Sequence, residues 1–190
     1  MDRDEFLAIA LRNPVHEIIA DALLGLALPD AWIVAGCLTQ AVWNFQTRRA
    51  ADHGINDYDV FYFDSDTSWR AEDAIIRRLA ALLAPHGVKA EVRNQARVHL
   101  WYPEKHGLPY PPLHRSTDGI DRFLTRNTQI GMRRTARGYD VYAPHGFGDI
   151  ADMIVRPNPG PNFSAANYAA KAARWKALWP EITVLPANTA

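Results

Sequence analysis

Two aspartates separated by one residue, Asp57 and Asp59 in the segment NDYDVFYFD, have the types and spacing of a divalent-metal site. In an extended strand residues i and i+2 point to the same face, so both carboxylates can grip one cluster of hard cations. The apolar run behind them, Val60 to Phe63, anchors such a strand inside a sheet and holds the ligands fixed. One helix earlier, the segment WIVAGC ends in Gly36 and Cys37 and opens into LTQAVWNF. Backbone N–H groups and the positive end of a helix can meet a triphosphate there, with Gly36 allowing close approach. Carboxylates on one side and a helix start on the other are what phosphoryl or nucleotidyl transfer needs. Its in-line displacement is stabilised on entering and leaving oxygens by two Mg²⁺ ions about 3.5–4 Å apart.

The elements that must position these residues follow from periodicity. Helices are expected over Asp4 to Leu11 and from Pro14 to Leu26, the second with Asn13 as N-cap, Pro14 at its first position and an apolar stripe through Val15, Ile18, Ile19, Ala22, Leu23 and Leu26. Ala31 to Ala35 is a short apolar segment, and Leu38 to about Arg48 a helix with Leu38, Val42 and Phe45 inward. The aspartate strand spans Asp57 to Phe63, followed by a helix carrying Ile75, Ile76, Leu79, Leu82 and Leu83. Lys89 to Tyr102 alternates and reads as one or two strands, with Glu91, Arg93, Gln95, Arg97 and His99 on one face. Pro103 to Pro112 reads as a loop. Beyond it come a helix over Thr117 to Leu124, a hairpin of Thr128 to Arg134 with Tyr139 to Tyr142, an ambiguous Phe147 to Val155, and a final helix from Ser164 to Trp179. Its Tyr168, Ala172, Trp175 and Trp179 are spaced to dock in a core.

The chain has 190 residues, 48% of them hydrophobic, enough for one domain with a buried core. Lysine plus arginine equals aspartate plus glutamate at 21 each, so no global field marks nucleic acid or an anionic membrane as partner. A single cysteine excludes an internal disulfide, no apolar stretch approaches the ~20 residues that span a bilayer, and the acidic start broken at Pro14 is unlike a signal peptide. A cytoplasmic protein is the expectation. No cysteine or histidine grouping has zinc-ligand spacing.

Gly36-Cys37 opening a helix, with Asp57-Tyr58-Asp59 on the next strand, resembles the core signature of the DNA polymerase beta-like nucleotidyltransferase superfamily. The blocks WIVAGCLTQAVWNF, NDYDVFYFD, EVRNQARVHLWY, GFGDIADMIVRPN and KAARWKALWP are together similar to a bacterial family of nucleotidyltransferase-like proteins of unassigned substrate, from about Trp32 to Pro180. The resemblance implies an α/β (α+β) nucleotidyltransferase core with a mixed sheet flanked by helices. On that reading 1–190 is one domain, with a helical N-terminal addition over 1–30, a catalytic core over 31–102 and a C-terminal half over 103–190 with the hairpin and terminal helix. It implies Mg²⁺ or Mn²⁺ as cofactor and a nucleoside triphosphate as substrate. Asp57 and Asp59 would hold both metals, and a third acid on the following strand, Glu91, would hold the one that activates the acceptor; the same-face alternative for Glu91 is an ion pair with Arg93 or Arg97. Cys37 stands where the superfamily has Gly or Ser, so Thr39 or the helix N–H groups would contact phosphate, with Arg48 and Arg49 as counter-charges.

The acceptor stays open among small molecule, RNA and protein, and the oligomeric state is unread. Two other functions compete: a degenerate member that binds nucleotide or a partner without turnover, suggested by Cys37, and an RNA-binding accessory protein. The second rests on Arg122, Arg126, Arg133, Arg134 and Arg137, whose alternative is a solvated face.

Overall fold

The computed structural model describes residues 1–187. Two N-terminal helices, α1 (Arg3–Ala10) and α2 (Pro14–Leu26), precede the sheet. Asn13 caps α2 by accepting a hydrogen bond from the Val15 amide, and Pro14 takes the first turn, where a missing N–H costs nothing. The main sheet has five strands in the order β3-β2-β1-β4-β5, namely β1 (Trp32–Val34), β2 (Tyr58–Tyr62), β3 (Ala90–Asn94), β4 (Gly131–Thr135) and β5 (Gly138–Tyr142). β2 and β3 are parallel and the other pairings antiparallel, which makes the sheet mixed. Helix α3 (Gly36–Gln46) links β1 to β2, and α4 (Trp69–Leu83), capped by Ser68, provides the crossover between the parallel pair.

The two faces of the sheet differ. Ile33, Val60, Val92 and Met132 join Ile19 and Leu23 of α2 and Leu79 and Leu83 of α4 in the main core. The opposite face carries Trp32, Val34 and Phe61, which pack with Ile120 of α6 (Ser116–Ile120) and with Phe123 and Tyr142. β2 shows the alternation directly, with Tyr58, Val60 and Tyr62 buried and Asp59 and Phe61 partly open. A second sheet of two parallel strands, β6 (Ile154–Val155) and β7 (Thr183–Val184), flanks α8 (Ala165–Leu178), which is capped by Ser164. Trp175 and Trp179 are buried edge-on against Trp43 of α3, a core role and not an exposed stacking surface.

Several expected elements differ. The alternating stretch after residue 89 forms a strand only to Asn94; a 3₁₀ turn over Gln95–Arg97 follows, and then α5 (Val98–His106). The Asn94 side chain turns the chain by accepting from the Ala96 amide, so Gln95, Arg97 and His99 leave the face occupied by Glu91 and Arg93. Pro103 lies inside α5, not in a loop; its ring removes one helical donor, and the helix continues for one more turn to a left-handed Gly107. Phe45 is exposed with the Arg12 guanidinium 4.9 Å over its ring, and Leu82 is exposed as well. Phe147 to Val155 resolves into a one-turn helix α7 (Gly148–Ala151) and β6, and Asp149 is held by Arg156 through two hydrogen bonds.

Candidate functional site

The open face of the sheet brings Asp57, Asp59 and Glu91 together. Parallel pairing sets Asp59 opposite Glu91, and Asp57 precedes β2 by one residue. One carboxylate oxygen of each lies within 4.8 Å of the others. Asp57 and Glu91 are exposed, whereas Asp59 is half-buried. Burial first, then the Asp57 and Glu91 charges, push the Asp59 carboxyl up to about 7, with Lys171 and Arg93 pulling it back. Crowded negative charge on three hard oxygen donors, relieved by a cation, is the donor chemistry of a Mg²⁺ or Mn²⁺ site. Glu91 thus lies with the two aspartates and is at the same time ion-paired, with Arg93 Nη2 donating to its Oε1 at 2.5 Å.

The loop that delivers Asp57 is pinned from behind. Asn44 Nδ2 donates to the carbonyls of Ala51 and His53, and its Oδ1 accepts from Trp179 Nε1 at 2.9 Å. Gly54 passes beneath Trp179 with φ +68°, and a Cβ there would lie 2.6 Å from the indole, so this position requires glycine.

The start of α3 lies on the far side of Asp59 from Glu91. Val34 at the end of β1 pairs with Asp59, and Ala35 caps the helix without a side-chain hydrogen bond. The first N–H groups of α3 are therefore left without a side-chain acceptor. Ala35 and not Gly36 takes the left-handed conformation, at φ 69°, ψ −137°. A residue with a Cβ in that region stores strain of order 1–3 kcal/mol. Cys37 is buried; its thiol faces the Val34 carbonyl, and burial with the neighbouring Asp59 charge raises it far above the thiol range, so it is no nucleophile. Thr39 is fully buried, and its hydroxyl donates to the Asn127 carbonyl at 2.5 Å. Arg48 and Arg49 follow the C-terminal end of α3, about 15 Å from Gly36 at 1.5 Å per residue. Arg49 pairs there with Glu181 at 3.0 Å. The structure thus gathers Gly36 and Cys37 beside the carboxylates and leaves Arg48 and Arg49 at the opposite end of the helix.

Lys171 is the site residue that sequence reasoning missed. It projects from α8, half-buried, with its amine 4.8 Å over the Trp175 ring; burial lowers its proton affinity while Asp59 and Asp57 raise it. Both aspartates act on its charge, and its approach depends on how Trp43, Trp175 and Trp179 seat α8. The block KAARWKALWP was visible in the sequence, but no local pattern marks this lysine. Of the arginines considered for nucleic acid, Arg133 bridges Asp30 and Asp140, Arg134 meets Asp21 and Arg122 donates to Asn162. Arg133 and Arg134 thus belong to a salt-bridged surface, whereas Arg122 faces a buried carboxamide.

A solution NMR structure described as revealing a CCA-adding enzyme head domain superposes with a TM-score of 0.78, covering 97% of this chain and 96% of that chain at 23% identity. At that identity the likeness is one of fold. No curated protein sequence matches the chain. The sequence profile of a family described as Nucleotidyltransferase matches residues 21–184, a span that includes both sheets, the carboxylate trio and Lys171. With most of its length matched, the chain belongs to this nucleotidyltransferase family.

Proposed function

We propose that the protein is a metal-dependent nucleotidyltransferase of the DNA polymerase beta-like superfamily, moving a nucleoside monophosphate from a nucleoside triphosphate to an acceptor and releasing pyrophosphate. The observation that carries this reading is the convergence of Asp57, Asp59 and Glu91 within 4.8 Å, on a face left open by the core. When bound there, divalent cations supply charge neutralisation of the phosphates and a lowered acceptor pKa. Asp57 and Asp59 hold the centre of the site, and Glu91 extends it toward the acceptor side. The uncapped N–H groups at Gly36 and Cys37 bind the terminal phosphates, because they lie beside Asp59 and no side chain satisfies them. Lys171, whose charge acts on Asp59 from α8, balances charge on the leaving pyrophosphate. The acceptor oxygen attacks the α-phosphorus as its proton passes to water, the bond from that phosphorus to the α,β-bridging oxygen breaks, and pyrophosphate leaves with that electron pair.

One observation favours a second reading. Thr39 is committed to Asn127 and Cys37 to Val34, so the helix start offers phosphate no side-chain hydroxyl where other members of the superfamily have Ser. A non-catalytic nucleotide-binding member would tolerate that loss. Mg²⁺-dependent pyrophosphate release from each of the four NTPs, measured across small-molecule, RNA and protein acceptors, tests the two. Turnover abolished by Asp57→Asn and Asp59→Asn supports the enzyme; NTP binding without turnover on any acceptor supports the second reading.

A further inference from the structure

Beyond the carboxylates, the same sheet face runs into a cavity of about 320 Å³, at the small end of the range for small-molecule sites. Its floor continues the site: Phe61 stands two residues after Asp59 on β2, and Arg93 two residues after Glu91 on β3. The step from the trio to the floor is thus about 7 Å along the strands. Lys171 and Arg93 line the cavity, and the charge of each also acts on Asp59, so the same two cations face both the cavity and the carboxylates.

The walls have a specific composition. Phe61 and Phe123 stack at 5.4 Å between ring centroids, and Tyr102 and Tyr110 meet at 4.5 Å. The Arg122 guanidinium lies 5.1 Å over the Tyr110 ring and donates to Asn162 Oδ1 at 2.9 Å. Asn162 is itself buried and fixed by donating to the Pro109 carbonyl at 3.1 Å. Aromatic faces beside a planar cation and a positioned carboxamide suit a flat ring with hydrogen-bonding edges. An aliphatic ligand would offer no acceptor to the N–H groups of Arg122 and Asn162 that those contacts leave over. A bare phosphate would leave four aromatic rings without use.

We propose that this cavity is a nucleobase pocket, in which a base stacks on the Tyr102, Tyr110 and Phe123 rings with its edge toward Arg122 and Asn162. The separation between cavity floor and trio is one that a ribose bridges, so the occupant's sugar–phosphate end reaches Asp57, Asp59 and Glu91. The proposal rests on the nucleotidyltransferase reading for its significance. The base can belong to the nucleoside triphosphate or to a nucleotide acceptor, and both present the same chemistry.

Calorimetric titration of the full chain with adenosine, guanosine, cytidine and uridine, without phosphate and with chelator present, isolates the pocket from the metal site. At least one nucleoside should bind, with Kd unchanged in the Asp57→Asn, Asp59→Asn variant and raised about tenfold by Tyr102→Ala, the usual size for a lost base–aromatic stack. Arg122→Gln, which keeps the pocket's volume, should raise Kd several-fold and guards against a folding defect in the tyrosine variant. Repeating the titration with saturating Mg²⁺ and a non-hydrolysable NTP separates the sources: competition assigns the pocket to the NTP base, and simultaneous binding assigns it to the acceptor. The proposal is overturned if none of the four nucleosides binds at millimolar concentration, or if both pocket variants, folded by circular dichroism, leave Kd unchanged. Failure of pyrophosphate release with nucleoside binding intact would count against the enzyme reading alone.

Discussion

The two faces of the β2–β3 pair are made from alternate residues of the same few strands, yet they obey opposite rules. The inner face, Tyr58, Val60, Tyr62 and Val92, is dry and closed over by α2 and α4. The outer face, Asp57, Asp59, Glu91 and Arg93, gathers charge that the core would not accept. Stability and candidate chemistry are separated here by the pleat of a strand, so substitutions one residue apart should fail in different ways.

The largest effect is expected at Asp59. Replacing it by Asn should lower kcat/KM by about 10³-fold or more, the scale for a lost group that stabilises transition-state charge, without lowering the melting temperature. Next in size is a change on the inner face. Leu79→Ala should cost about 3 kcal/mol in denaturant unfolding, as buried Leu→Ala changes do, while the folded fraction keeps its metal affinity. An inner-face variant that lost metal binding while still folded would show that the two faces are coupled.

Titration gives the two sides opposite signs. Buried His16 of α2 donates from Nδ1 to the Ala10 carbonyl at 2.8 Å, and burial lowers its pKa to about 4. Its contribution is complete above the unfolded value near 6.5 and is lost as pH falls toward 4, up to about 3 kcal/mol. Asp59, raised to about 7, behaves the other way in chelator-treated protein: its contribution is complete below about 4 and lost as pH rises through 7. The stability gained by Asp59→Asn should therefore grow between pH 4 and 7 and then level, whereas His16→Gln should flatten the acid limb. If the Asp59→Asn gain were independent of pH, the carboxylates would not be crowded. The smallest expected effect is at the far end of α3. Arg49→Ala removes an ion pair with a half-exposed Glu181 and should cost at most about 1 kcal/mol, with turnover changed less than about twofold. A large kinetic effect would bring Arg49 back to the phosphates.

What could be read from the sequence was whatever is local. Asn13 with Pro14, the cap at Ser68 and the docking spacing of Tyr168, Ala172 and Trp175 act within one or two turns, and the corresponding helices form where those signals put them. Asp57, Asp59 and Glu91 were legible because strand alternation and a crossover helix bring them to one face. The stretch after Asn94 was not, because an alternating sequence is also compatible with an Asx turn leading into a helix, and tertiary contacts decide between them: Glu72 accepts from the Asn94 amide and pairs with Arg97, stopping the ladder there. Lys171 and the displacement of Arg48 and Arg49 were illegible for a related reason. Their distance from the carboxylates is set by helix length and by how α8 seats on α3, and neither is a property of neighbouring residues.

Cys37 gives this arrangement a built-in reporter. As the chain's sole thiol, sealed under Asp59 and held protonated by its surroundings, it cannot meet an alkylating reagent while the start of α3 is seated. Its labelling rate is therefore a clock for opening of the α3 end of the site alone. Any nucleotide that engages that end will slow the clock, whichever acceptor is eventually found.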